Sequence, residues 1–321
     1  MTDVGLQLIE SLYQQLMIDE EWSVRRERGF TWWSYRLAQH VEVGPPTWSI
    51  DRHVCPVRIW TEVLRDVDPG TDPARVLGTI NMQATLNALV WDPQTAMISE
   101  HCATNIHDEI FGWMSKVLAT AMVLQNTSAH GRADGLAALC GGVPATSDHP
   151  SSGERPDMDE MLGVPANVVA REGAAPSRFA GPQMAHMQKF LAHMGLPGSA
   201  DTAGVTFEVP FTADRPETAL VQLFSDVAHP EAGSGLFTLT LLPVRVEPDQ
   251  MAALANELNA AEAQGESQTP LLGAWCPDPN SETTLAFCSF VPNLLSRLML
   301  VENVIAYAAS RVRFATERVT G

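Results

Sequence analysis

Several features that usually announce chemistry are missing from this chain. There are two lysines, Lys116 and Lys189, and nearly all the remaining positive charge is arginine, which reflects base composition and points to no mechanism. Cysteine is scarce: Cys55, Cys102, Cys140, Cys276 and Cys288 are an odd, scattered set with no C-x-x-C pair, so neither a disulfide framework nor a zinc site is expected. No apolar run reaches the roughly 18 to 20 residues that span a bilayer. The start, Met1-Thr2-Asp3-Val4-Gly5-Leu6, lacks the basic and apolar regions of a signal peptide, so the expectation is a cytoplasmic protein without membrane insertion. G-x-S-x-G, a P-loop and G-x-G-x-x-G are all absent, which leaves no recognised setting for a nucleophile, a phosphate or a dinucleotide.

Acidic charge, in contrast, is abundant. The chain carries 38 acidic and 20 basic residues, a formal charge of −18, which repels a phosphate backbone and supplies no basic stripe for counterion release. Nucleic acid is therefore not an expected partner. A basic or amphipathic polypeptide would be attracted, although an acidic surface also serves plain solubility. At 321 residues the chain exceeds a single core, and about two domains are expected.

Periodicity supplies the organisation. Apolar spacing predicts a helix over residues 4–22, a half-buried strand over 32–43, a second strand over 57–63 ending at Asp68-Pro69-Gly70, and a short helix over 72–83. A strand pair around Trp91 follows, then a long helix opened by Asp108 and Glu109 with Ile110, Met114, Val117, Ala121 and Leu124 on one face. Residues 141–182 dissolve into Pro, Gly, Ser and acidic residues and read as a linker. Beyond it come a helix over 184–194, strands over 205–211, 219–227 and 236–244, a helix from Pro248, strands near Trp275 and Phe287, and a last helix over 293–316.

The two halves echo one another. Leu89-Val90-Trp91-Asp92-Pro93 leading to Cys102 matches Gly273-Ala274-Trp275-Cys276-Pro277 leading to Cys288. Connections between neighbouring strands are too short for parallel crossovers, so each half reads as α+β, an antiparallel sheet with helices on one side. The expected domains are 1–140 and 183–321, joined by the Pro-rich linker.

Candidate chemistry is thin. His101, His107, Asp108 and Glu109 are the densest ligand-type set, but their spacing is no known ligand pattern, and Asp108-Glu109 suits a helix N-terminus. His53-Val54-Cys55-Pro56 lacks the glutamate and P-C-x-x-C of a deaminase. No catalytic residue, metal or cofactor follows. Six of eight tryptophans fall in the first 91 residues, and Trp32, Trp33 and Trp60 are candidate anchors for a partner or, alternatively, core beneath the opening helix.

The order of strands, helix, strand pair and long helix in the second half resembles type III secretion chaperones and YbjN-like proteins. The first half resembles a diverged copy with one strand fewer. The resemblance rests on topology and hydrophobic pattern and carries no site residues. It implies a non-enzymatic chaperone that holds a peptide or protein client, with the tandem replacing a dimer in a monomer, or with homodimers. Two alternatives stand beside it: an adaptor subunit of a secretion or conflict system that binds a folded partner, and a hydrolase-type enzyme with its site between the halves.

Overall fold

The computed structural model describes residues 3–49, 51–211 and 217–320. The chain divides into two compact units, each α+β with one antiparallel sheet. Unit 1 comprises Met1–Leu77, Leu86–Val164 and Asn259–Leu272; unit 2 comprises Gly78–Thr85, Pro165–Leu258 and Gly273–Gly321.

Unit 1 opens with helix α1 (Val4–Gln15), whose N-cap Asp3 accepts from the backbone N–H groups of Gly5 and Leu6. Leu8 and Leu12 lie on its fully buried stripe. The helix ends well before residue 22 because Met17 takes a left-handed conformation (φ 47°) and Asp19 caps a separate short turn. Strands β1 (Ser23–Arg26), β2 (Gly29–Trp33), β3 (Ala38–Val43), β4 (Thr47–Ser49) and β5 (Arg52–Arg65) follow. The single strand expected over 32–43 is thus two strands of a hairpin. All five residues of β2 are buried, so it has no alternation to read, and the intervening turn contains neither Gly nor Pro. Remote groups support that turn: Ser34 and Arg36 carbonyls accept from Asp159 and Ser147, and the Leu37 N–H donates to His130 Nε2.

Helix α2 (Pro73–Asn81) leads to β6 (Ala88–Asp92), β7 (Met97–Ile106), the long α3 (Asp108–Cys140) and β8 (Val143–Pro144). The sheet order is β1-β2-β3-β5-β7-β6, with β4 and β8 also paired to β5. Helix α3 lies along β5 and β7, and α1 packs against α3. Between them the core row Phe30, Val41, Ile59 and Cys102 is almost completely buried. The segment expected to be a linker is built into the units instead. Strand β8 pairs with β5, and Arg155 donates to the Trp33 carbonyl at 2.6 Å while pairing with Asp159 at 3.1 Å.

Unit 2 contains the single turn α4 (Ala170–Gly173), α5 (Pro182–Met194), β9 (Gly198–Ala200), β10 (Gly204–Pro210), β11 (Thr218–Phe224), β12 (Gly235–Pro243), α6 (Met251–Ala263), β13 (Ala274–Pro277), β14 (Thr284–Pro292) and α7 (Val301–Thr320). Its sheet order, β9-β10-β11-β12-β14-β13, repeats that of unit 1 strand for strand, so the first half is not one strand short. Helix α5 packs on β9 and β10, and α7 packs on α5 and β12.

The unit boundaries depart from a division at 1–140 and 183–321. Gly78–Thr85, which ends α2 and enters β6, belongs to unit 2, and Asn259–Leu272, which ends α6 and enters β13, belongs to unit 1. In unit 1, Leu271 exchanges backbone hydrogen bonds with Ala103 of β7; in unit 2, Phe290 of β14 donates to the Thr85 carbonyl at 3.0 Å. Among the described residues no helix is long and apolar enough to cross a membrane.

Candidate functional site

These two corresponding contacts set the sheets in register. Leu271 precedes Ala274 as Thr85 precedes Ala88; Ala274 pairs with Cys288 as Ala88 pairs with His101. Continuing across the ladders, the row Thr31, His40, Trp60, His101, Ala88 of unit 1 matches Thr206, Gln222, Leu239, Cys288, Ala274 of unit 2. Cys288 therefore corresponds to His101 rather than to Cys102, and Trp275 to Leu89 rather than to Trp91. The similar Trp-to-Cys spacing hides the offset.

In each sheet these rows lie on the outer face, opposite the main helices. Period-two alternation sends every second residue of β3, β5 and β7 there. In unit 1 the rings of His40, Trp60 and His101 form a ladder across three strands, with centroids 4.7 Å and 6.5 Å apart and planes within 19° and 15°. His40 Nδ1 contacts Thr31 Oγ1 at 3.0 Å, and Nε2 lies 3.3 Å from Glu62. That His40 contact holds the Glu62 carboxyl below the usual range. Beside the ladder, Arg58 donates to Glu42 and to Gln264, each at 2.6 Å, and its guanidinium lies 5.9 Å from the Trp60 ring centroid. Burial, helped by Arg58, pushes the His101 imidazole down to about 4, so it is neutral at neutral pH. His40 Nδ1 is hydrogen-bonded, its Nε2 faces the Glu62 carboxylate, and Thr31 is buried and also accepts from Arg26. The arrangement offers aromatic faces beside a guanidinium and carboxylates.

Unit 2 fills the same face differently. Leu220, Gln222, Phe224, Phe237, Leu239 and Leu241 are half-buried there, and the Phe224 and Phe237 rings stack at 6.3 Å.

The structure separates the other residues singled out from sequence. His101 sits in mid-β7 on the outer face, whereas His107 is the N-cap of α3, with Asp108 and Glu109 in its first turn. Among the described residues no group of three or more His, Cys, Asp or Glu side chains is placed to hold a metal ion. Trp32, beneath the helices, and Trp33, on the outer face under Ser147 and His149, are 1% and 7% exposed and are buried as core; Trp60 alone of the three is half-exposed on the outer face. His53 is exposed on β5 and stacks edge-on with Trp48, while Cys55 is buried.

Two features escaped sequence reasoning. Beneath sheet 1, Gln39, Thr61, Asn87 and Gln125 form a buried network: Gln125 Oε1 accepts from Gln39 and Thr61 at 2.9 and 3.0 Å, and its amide donates to Asn87. Polar residues scattered over β3, β5, α3 and the approach to β6 show no local pattern. The second feature was readable as H-P-x-x-G, found at His149–Gly153 and again at His229–Gly233. In both, His and Gly exchange backbone hydrogen bonds around a turn closed by a left-handed glycine. The histidine Nδ1 accepts from the N–H groups two and three residues on, which leaves Nε2 as the donor to the Ser23 carbonyl in unit 1 and the Gln83 carbonyl in unit 2. These buried histidines brace loops.

No family model, curated protein or solved structure matches the chain.

Proposed function

We propose that the protein is a non-enzymatic, chaperone-like holder of a polypeptide, binding an extended amphipathic segment with basic residues on the outer sheet faces. The observation that carries this reading is the half-buried apolar face of unit 2, where Phe237, Leu239 and Leu241 stand in a register that elsewhere in the fold is filled by Arg58, Trp60 and Glu62. An alternating strand-like segment would set one set of side chains on such a face. The formal charge of −18 favours a cationic partner and gives binding a dependence on salt.

The test is fluorescence anisotropy with a labelled cationic amphipathic peptide, alongside suppression of aggregation of a chemically unfolded client. Binding that weakens about tenfold in Leu239→Asp, at unchanged secondary structure, supports the reading. Equal binding by Leu239→Asp and wild type, or no binding and no suppression, overturns it.

A further inference from the structure

Cys276 on β13 and Cys288 on β14 are 0% and 4% exposed, and their sulfurs lie 3.9 Å apart. They share a small buried cluster with Ala286, and Met82, from the exchanged segment of unit 2, packs against it beside Phe237 and Leu239. Two thiols thus touch on the edge strand and its neighbour, and the Met82 side chain packs against the cluster that holds them.

Disulfide formation does not suit this pair. The register puts Cys276 opposite Ala286 and Ala274 opposite Cys288, so the two cysteines are diagonal neighbours. Diagonal partners have Cα atoms about 7–8 Å apart, whereas a disulfide usually needs about 6.8 Å or less. Two sulfurs bound to one metal through bonds of about 2.3 Å, at the angles of a three-coordinate site, lie about 4 Å apart. The observed separation matches ligands of a single ion.

We propose that Cys276, Cys288 and Met82 form a binding site for a soft monovalent ion, copper(I), with two thiolates and one thioether as ligands. Thiolate and thioether sulfur select copper(I) over harder ions. The apolar walls exclude water. Binding releases one proton from each thiol, so two protons leave as one positive charge enters. Because the thiolate and not the thiol is the ligand, affinity rises with pH. The site goes beyond polypeptide holding and stands or falls separately from it.

The experiment is anaerobic titration of the full chain, in reductant, with copper(I) supplied as its coloured bicinchoninate complex. The expected result is withdrawal of one equivalent, more completely at pH 8 than at pH 6, with at least a hundredfold loss of affinity in Cys276→Ala/Cys288→Ala and about tenfold in Met82→Leu. Cys55→Ala/Cys102→Ala/Cys140→Ala serves as the control and keeps full uptake. X-ray absorption on the wild-type protein, which needs no variant to fold, is expected to show sulfur neighbours alone at about 2.3 Å. No uptake by wild type, equal uptake by the double variant, or nitrogen and oxygen ligands in the absorption spectrum would overturn the proposal.

Discussion

In unit 1 the row beneath the main helix reads Trp32, Gln39, Thr61, Glu100 and Leu89; in unit 2 the corresponding row reads Phe207, Val221, Thr240, Phe287 and Trp275. One copy of the fold places an amide and a carboxylate, Gln39 and Glu100, where the other places Val221 and Phe287, and both keep a threonine between them. The outer faces diverge in the same direction, with His40, Trp60, His101, Glu62 and Arg58 against Gln222, Leu239, Cys288, Leu241 and Phe237. The strand order therefore does not depend on the polarity of either face. It depends on the antiparallel ladder and on enough apolar rows, such as Val41, Ile59 and Cys102, to hold helices on one side. Unit 1 holds a buried polar network joined by hydrogen bonds through the Gln39 and Gln125 amides, and unit 2 relies on packing, so the two should answer substitution and acid differently.

The sharpest break is at Gln125, which is completely buried and joins Gln39, Thr61 and Asn87. Gln125→Ala removes the common partner and opens a cavity, and should cost about 4 kcal/mol, read by denaturant unfolding. A midpoint within error of wild type would show that the network is not what holds unit 1.

Acid should separate the units next. His101 is held at about 4 when folded, against 6.5 for the free side chain. Its folded value is lowered, so between those pH values the unfolded chain takes up a proton that the folded chain refuses. Its contribution is complete above pH 6.5 and is lost as pH falls towards 4, by up to about 3 kcal/mol. His101→Gln should flatten the stability profile in that window; an unchanged slope would remove His101 as its source.

The finest comparison uses two threonines at corresponding positions. Thr61 donates to Gln125 at 3.0 Å, whereas the buried Thr240 hydroxyl has no hydrogen-bond partner among the described residues. Thr61→Val should therefore cost about 1 kcal/mol, and Thr240→Val should be neutral or slightly stabilising. Equal losses at the two sites, measured by thermal unfolding, would mean that the networks differ less than the register indicates.

Much of this was legible before any coordinates. The apolar stripes of α1, α3, α5 and α7 and the alternation of β3, β5, β10, β11 and β12 were visible because each element buries one face and exposes the other. Strand β2 was not, since it is buried on both faces and turns at Ser34–Leu37 without Gly or Pro. The segment 141–164 reads as linker by composition, yet its order comes from β8 on β5 and from Arg155 on the Trp33 carbonyl, bonds between residues far apart in the chain. Of the three tryptophans picked as anchors, Trp32 and Trp33 share a strand, and alternation alone could not foresee that both of its faces would be covered. His101 was singled out for its proximity in sequence to His107, while its true neighbours are Trp60 and Arg58 on the next strand.

The amino-acid sequence by itself determined the acidic charge, the α+β class and the fact of two similar halves, because these follow from composition and from periodicities of two and 3.6 residues that each local segment carries. Only the tertiary structure decided the residue-by-residue register of the copies, the passage of Gly78–Thr85 and Asn259–Leu272 into the units that hold them, and the packing of Met82 against the cluster that contains Cys276 and Cys288. Those depend on which backbone groups find partners across long stretches of chain, and a hydrogen bond or packing contact between distant segments leaves no periodic trace in either one.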